Sequence, residues 1–183
     1  MAHADQILDR WRTAPYTYVE VGATAGPLPA GYRHVRIRAD LGSGAGTFDR
    51  AADLLLSWEM HRRAGIDLVS TDRTAVPGAV VLQRIRVGPV RVDAACRVVA
   101  VGRTPQRAGF AYGTLSGHPV AGEEAFGVER LADERVVATI TAFSRPDRWF
   151  TRLGGRLGDV AQDLVLRRYV AALRADCAAE PAT

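Results

Sequence analysis

FAYGTLSGHPVAGEEAF, Phe110 to Phe126, reads as two strands folded back on a tight turn. Phe110, Tyr112 and Thr114 alternate onto one face, then Ser116-Gly117-His118-Pro119 breaks the pattern. Beyond the turn, Glu124, Phe126 and Val128 share one face, and Glu123, Ala125 and Gly127 share the other. So short a link joins antiparallel neighbours, because a parallel crossover needs about a dozen residues or more. The hairpin therefore sets the type of sheet.

The same period of two extends on both sides, from Ile66 to Ser144. IDLVS, AVVLQRIRVG, PVRVDAACRVVAVG, GFAYGTL, EEAFGVERL and RVVATITAFS are strands separated by Gly, Pro, Asp or polar turns. Arg145-Pro146 closes the last of them. Upstream, YRHVRIRADL (Tyr32 to Leu41) is a further strand, with Val35, Ile37 and Ala39 on one face and His34, Arg36 and Arg38 on the other. Between the two lies LGSGAGTFDRAADLLLSWEMHRRAG, a turn followed by one helix ending at Gly65. Ser43 or Thr47 caps its start, Phe48, Ala51, Leu55 and Trp58 form its buried stripe, and His61, Arg62 and Arg63 suit its C-terminal dipole.

At the N-terminus, Ala4 to Arg12 has a short helical pattern with Ile7, Leu8 and Trp11 on one side. Thr13 to Gly31 holds three prolines and three glycines and reads as irregular. At the other end, after a helical lead-in at 147–155, residues 156–176 form the main C-terminal helix. Leu157, Val160, Ala161, Leu164, Val165, Tyr169 and Leu173 are available for burial, and 177–183 is expected to fray.

The whole chain of 183 residues, 48% hydrophobic, suits one domain over 1–183 with its own core. No apolar run reaches the roughly 18 residues of a membrane span, and the charged start lacks a leader's apolar segment. Two cysteines, Cys96 and Cys177, do not make a disulfide framework, and a cytoplasmic location is expected. The net charge of +4 comes from dispersed arginines rather than a basic patch, so no specific nucleic-acid partner and no membrane partner are expected. A monomer or homodimer is the expected state. Histidines at 3, 34, 61 and 118 show no HxH or HExxH spacing, and no metal or cofactor is expected. GSGAG (Gly42 to Gly46) precedes a helix but lacks the lysine of a phosphate loop.

Strand, helix, antiparallel strands and a long final helix give an α+β order that resembles the helix-grip fold of the START and Bet v 1-like superfamily. There a curved antiparallel sheet wraps the C-terminal helix around an internal apolar cavity. A closer resemblance lies in YTYVEVGAT, LGSGAGTFDRAADLLLSWEMHRRAG, CRVVAVGRTPQRAGFAYGTLSGHPVAGEEAF and AFSRPDRWFTRLGGRLGDVAQDLVLRRYVAAL. These segments are similar to an uncharacterised "domain of unknown function" family, number 1990 (UPF0548-like), with Ser116 standing where that family's pattern suggests proline. The resemblance implies a single helix-grip-like domain and carries no activity with it.

The chemistry-bearing residues concentrate in the opening stretch. With the aromatic faces inward, Tyr112, Thr114 and Glu124 line the cavity, and Glu123 points to solvent. His118 titrates near neutrality, a carboxyl on an apolar wall has its pKa raised, and Tyr112 donates a hydrogen bond, so His118, Glu124 and Tyr112 are the candidate catalytic groups. Trp58, His61, Thr114, Phe126, Phe143 and Arg145 are the candidate ligand-binding residues, Arg145 as a carboxylate clamp at the mouth. The expected function is binding of an apolar small molecule. Acid/base catalysis by a cofactor-independent cyclase, lyase or isomerase on a polyketide-like metabolite is one expectation, and a non-catalytic carrier is the other.

Overall fold

In a computed structural model of the chain, which describes residues 8–87, 90–147 and 164–177, the alternating segments become seven strands. They are β1 (Arg33–Ser43), β2 (Asp67–Ser70), β3 (Val80–Val87), β4 (Val90–Arg103), β5 (Arg107–Thr114), β6 (Val120–Arg130) and β7 (Arg135–Pro146). Helical segments are α1 (8–12), α2 (Ala45–Leu56), α3 (Glu59–Arg63) and α4 (164–177). The sheet is antiparallel throughout, in the order β1-β7-β6-β5-β4-β3-β2. Because β1 and β2 occupy opposite edges, α2 and α3 must carry the chain across one face of the sheet. Bulges between Asp40 and Gly42 and between Val98 and Ala100 bend it around them.

The inner face packs one continuous core. Val35, Ala39, Val81, Cys96, Val98, Phe110, Tyr112, Phe126, Ile140 and Ala142 meet Phe48, Ala51, Leu55, Trp58 and Met60 from α2–α3, and Leu166, Tyr169 and Leu173 from α4. This is the helix-grip α+β arrangement. Tyr169 and Leu173 of the stripe read in the sequence are buried and Val165 packs against the core, but Leu164 is 50% exposed and Leu166 is buried in its place. Cys177, assigned there to the tail, closes the helix and is buried. Leu157, Val160 and Ala161 lie outside the described residues.

Two further expectations are corrected. The helix capped by Ser43 or Thr47 starts instead at Gly44, without a side-chain cap. It is not one helix either: Trp58 takes a left-handed conformation (φ 68°) and divides α2 from α3. The reason is phase. An unbroken helix would place Arg62, seven residues after Leu55, on the buried stripe, and a guanidinium there has no partner. The left-handed step re-phases the chain so that Trp58, Met60 and His61 are buried while Arg62 and Arg63 reach solvent and pair with Glu59.

The outer face is covered by the N-terminal segment. Leu8 and Trp11 of α1 pack on Val80, Leu82, Ala95 and Leu115. Tyr16 then bridges to Leu115, and the chain turns through a short 3-10 helix at Ala23–Ala25.

Candidate functional site

β5 and β6 pair Phe110 with Phe126 and Tyr112 with Glu124 on the inner face. The two phenylalanine rings stack at 5.3 Å between centroids, and Tyr112 Oη donates to Glu124 Oε2 at 3.0 Å. Glu124 is enclosed by protein on most sides and keeps a limited solvent contact. Burial raises its pKa to about 7, with the Tyr112 hydrogen bond acting in the opposite direction. Among the described residues no cation pairs with it. A carboxyl in this state is divided between acid and base near neutral pH. Tyr112 itself stays a phenol, since burial and the Glu124 charge hold its pKa well above the ordinary value.

α3 brings His61 against the same wall. It is 0% exposed, and neither ring nitrogen has a hydrogen-bond partner among the described residues. Five rings surround it: Tyr169 at 4.8 Å, Phe126 at 5.5 Å, Trp58 at 5.9 Å, Tyr112 at 6.0 Å and Phe110 at 6.1 Å between centroids. Burial, with help from the Arg62 charge, lowers its pKa to about 3, so the imidazole is neutral. The sequence reading favoured a dipole partner at the helix end; re-phasing at Trp58 put His61 in the core instead. α4 closes the cluster, with Tyr169 Oη donating to Gln83 Oε1 of β3 at 3.0 Å.

The remaining expected residues lie elsewhere. His118 sits in the β5–β6 turn with its Nδ1 2.9 Å from Val120 C=O and 3.1 Å from Val120 N, so that Nδ1 donates to the carbonyl or accepts from the N–H according to the tautomer. Burial lowers its pKa to about 4 against the opposing effect of the Val120 hydrogen bond. Among the described residues no hydrogen bond joins it to Glu124. Thr114 has the inner-face register, but its hydroxyl exchanges hydrogen bonds with Gly122 N–H and C=O and with Thr17 Oγ1. Phe143 lies opposite Glu123 and packs edge-on against Tyr18 and Tyr32 on the outer face. Arg145 follows it there, its guanidinium 4.8 Å from the Tyr32 ring centroid. Alternation along β7 places both on the side away from Tyr112 and Phe126.

Glu123, expected in solvent, is 2% exposed. Its carboxylate accepts from Tyr18 Oη at 2.7 Å, Gly22 N–H at 2.7 Å and Thr24 N–H at 3.0 Å. It is a structural clamp for the N-terminal segment. The two adjacent glutamates thus serve opposite faces of the sheet, and only Glu124 faces the helices.

The sequence profile of a family described as a domain of unknown function (DUF1990) matches residues 17–172. The chain belongs to that family. A UPF0548 protein of Deinococcus radiodurans is 32% identical over 171 residues, covering 87% of this chain and 86% of its own. Among solved structures, a START superfamily protein from Mycobacterium smegmatis superposes with a TM-score of 0.55 at 10% identity, over 79% of this chain and 96% of the other. A norcoclaurine synthase point mutant from Thalictrum flavum, in complex with a transition-state analogue, superposes at 0.55 with 9% identity, over 81% and 98%. At such identities the likeness is one of fold. No helix among the described residues is long and apolar enough to cross a membrane, and no cluster of three or more His, Cys, Asp or Glu among them is placed to hold a metal ion.

Sequence reasoning missed Gln83 altogether and read Tyr169 as a buried helix residue without assigning it to the site. Gln83 was detectable as the polar interruption of the Val81–Ile85 alternation, and Tyr169 as the polar-tipped residue of an otherwise aliphatic helix stripe.

Proposed function

We propose that this protein binds an apolar, ring-bearing small molecule between the sheet and its helices, and moves a proton on it with Glu124. The reading rests on one observation: an inner-face carboxyl with a pKa near 7, held by Tyr112, in limited contact with solvent and without a countercharge among the described residues. As an acid it gives its proton to a substrate carbon or oxygen; as a base it takes one. Tyr112 fixes which oxygen is presented. The surrounding rings orient the substrate and keep water from competing, which suits an isomerisation, cyclisation or elimination that needs no cofactor.

A carrier role is the second reading. It is favoured by the placement of His118, which leaves Glu124 without the second acid/base group that the sequence suggested. Native mass spectrometry, comparing folded and denatured masses, identifies a co-purifying ligand. That ligand is then incubated with the protein in D2O. An enzyme catalyses deuterium uptake at carbon, and Glu124→Gln slows it by about 100-fold or more while affinity stays within about tenfold. A carrier gives no uptake with either protein, which rules out the catalytic reading.

A further inference from the structure

His61 is the least satisfied polar group among the described residues. A buried imidazole with two unpaired nitrogens is unfavourable, and the fold places it there by holding Trp58 in a left-handed conformation that a bulky side chain avoids. Its surroundings are the faces and edges of five aromatic rings. Among the described residues no polar atom hydrogen-bonds either nitrogen, and what packs on the imidazole is aromatic. The fitting partner is therefore mostly apolar, with one polar atom to meet the imidazole. The contacts that crowd the imidazole are side-chain rings, so a ligand reaching it would displace Phe126, Tyr169 or Trp58 rather than part the strands.

We infer that His61 reads a hydroxyl group on an aromatic ligand. The inference rests on the interior ligand site proposed above and specifies its ligand class. The neutral imidazole offers an acceptor nitrogen on one edge and an N–H donor on another, and a phenolic hydroxyl, donor and acceptor in one atom, meets whichever of the two it reaches. The flat ring carrying that hydroxyl stacks among Phe110, Phe126 and Tyr169.

Naphthalene and 2-naphthol make the test, since they share a ring system and differ by the hydroxyl. Binding to the full chain is followed by NMR at neutral pH, with the His61 ring nitrogens observed directly. The wild type is expected to bind 2-naphthol at least about tenfold more tightly than naphthalene, because a hydroxyl-reading site leaves its polar groups unpaired with the analogue. A His61 nitrogen resonance should shift with 2-naphthol alone, and His61→Phe should reduce the preference to about twofold or less. Equal affinities, a silent His61 resonance, or a preference that persists in His61→Phe overturns the inference while leaving the interior site standing. Binding of neither probe overturns both. The His61 resonance is read in the wild type, so a poorly folding variant does not remove the test.

Discussion

At the scale of the residue, two neighbouring glutamates have been given different work by strand alternation. Glu123 meets four hydrogen-bond donors of the N-terminal segment, Tyr18 Oη, Gly22 N–H and the N–H and Oγ1 of Thr24, so Glu123→Ala leaves buried donors without an acceptor. A loss of about 2–4 kcal/mol in urea unfolding is expected, along with faster amide exchange at Gly22 and Thr24. Gly113 belongs to the same clamp, since a methyl group there runs into Tyr18 Oη. Gly113→Ala should therefore reproduce part of the Glu123→Ala loss, and unchanged exchange at Gly22 would disprove the coupling. The period of two in EEAF made the split between Glu123 and Glu124 legible. What covers Glu123 was not, because that depends on Tyr18, about a hundred residues away.

At the scale of the element, the break at Trp58 decides what the first helical region presents to the core. A left-handed residue that is not glycine costs about 1–2 kcal/mol, while a buried tryptophan truncated to alanine costs about 3–5 kcal/mol. Trp58→Gly and Trp58→Ala both lose the ring, and only glycine relieves the backbone. Both should be destabilised, with the glycine variant more stable than the alanine variant by about 1 kcal/mol in chemical denaturation. If alanine is the better substitute, the left-handed conformation is not what positions α3. The helical periodicity of 45–63 was plain in the sequence. Its interruption followed only from a conflict of phase between Leu55 and Arg62, since nothing at Ser57-Trp58 signals a break by residue type.

At the scale of the whole molecule, the buried titratable groups set how stability depends on pH. Glu124 has a raised pKa in the fold, so its contribution is complete below about pH 4.5 and is lost as pH rises through about 7. Glu124→Gln should match the wild type's pH response below pH 4.5 and gain on it by about 1–3 kcal/mol by pH 8. His61 has a lowered pKa, so its contribution is complete above about pH 6.5 and is lost as pH falls toward about 3. His61→Phe should flatten that acid limb, by an amount on the order of 4 kcal/mol at pH 3, and should exceed the wild type in stability even at pH 7 because two unpaired nitrogens are gone. Denaturant midpoints across pH 3–8 measure both variants, and parallel curves would show that neither group is buried as described.

The antiparallel sheet, the order of elements, the family and the choice of Tyr112, Glu124 and Phe126 as inner-wall residues are legible in the chain of residues alone. All of these follow from local period or from continuous motifs, where side-chain direction is dictated by the residue's own strand or helix. The enclosure of His61 in aromatic rings, the meeting of Gln83 and Tyr169, the packing of Phe143 and Arg145 against Tyr32 and the anchoring of the N-terminal segment by Glu123 come from long-range packing. Each of these depends on which distant elements share a face. That is set by the sheet order and by one left-handed residue, and neither leaves a periodic trace in the chain.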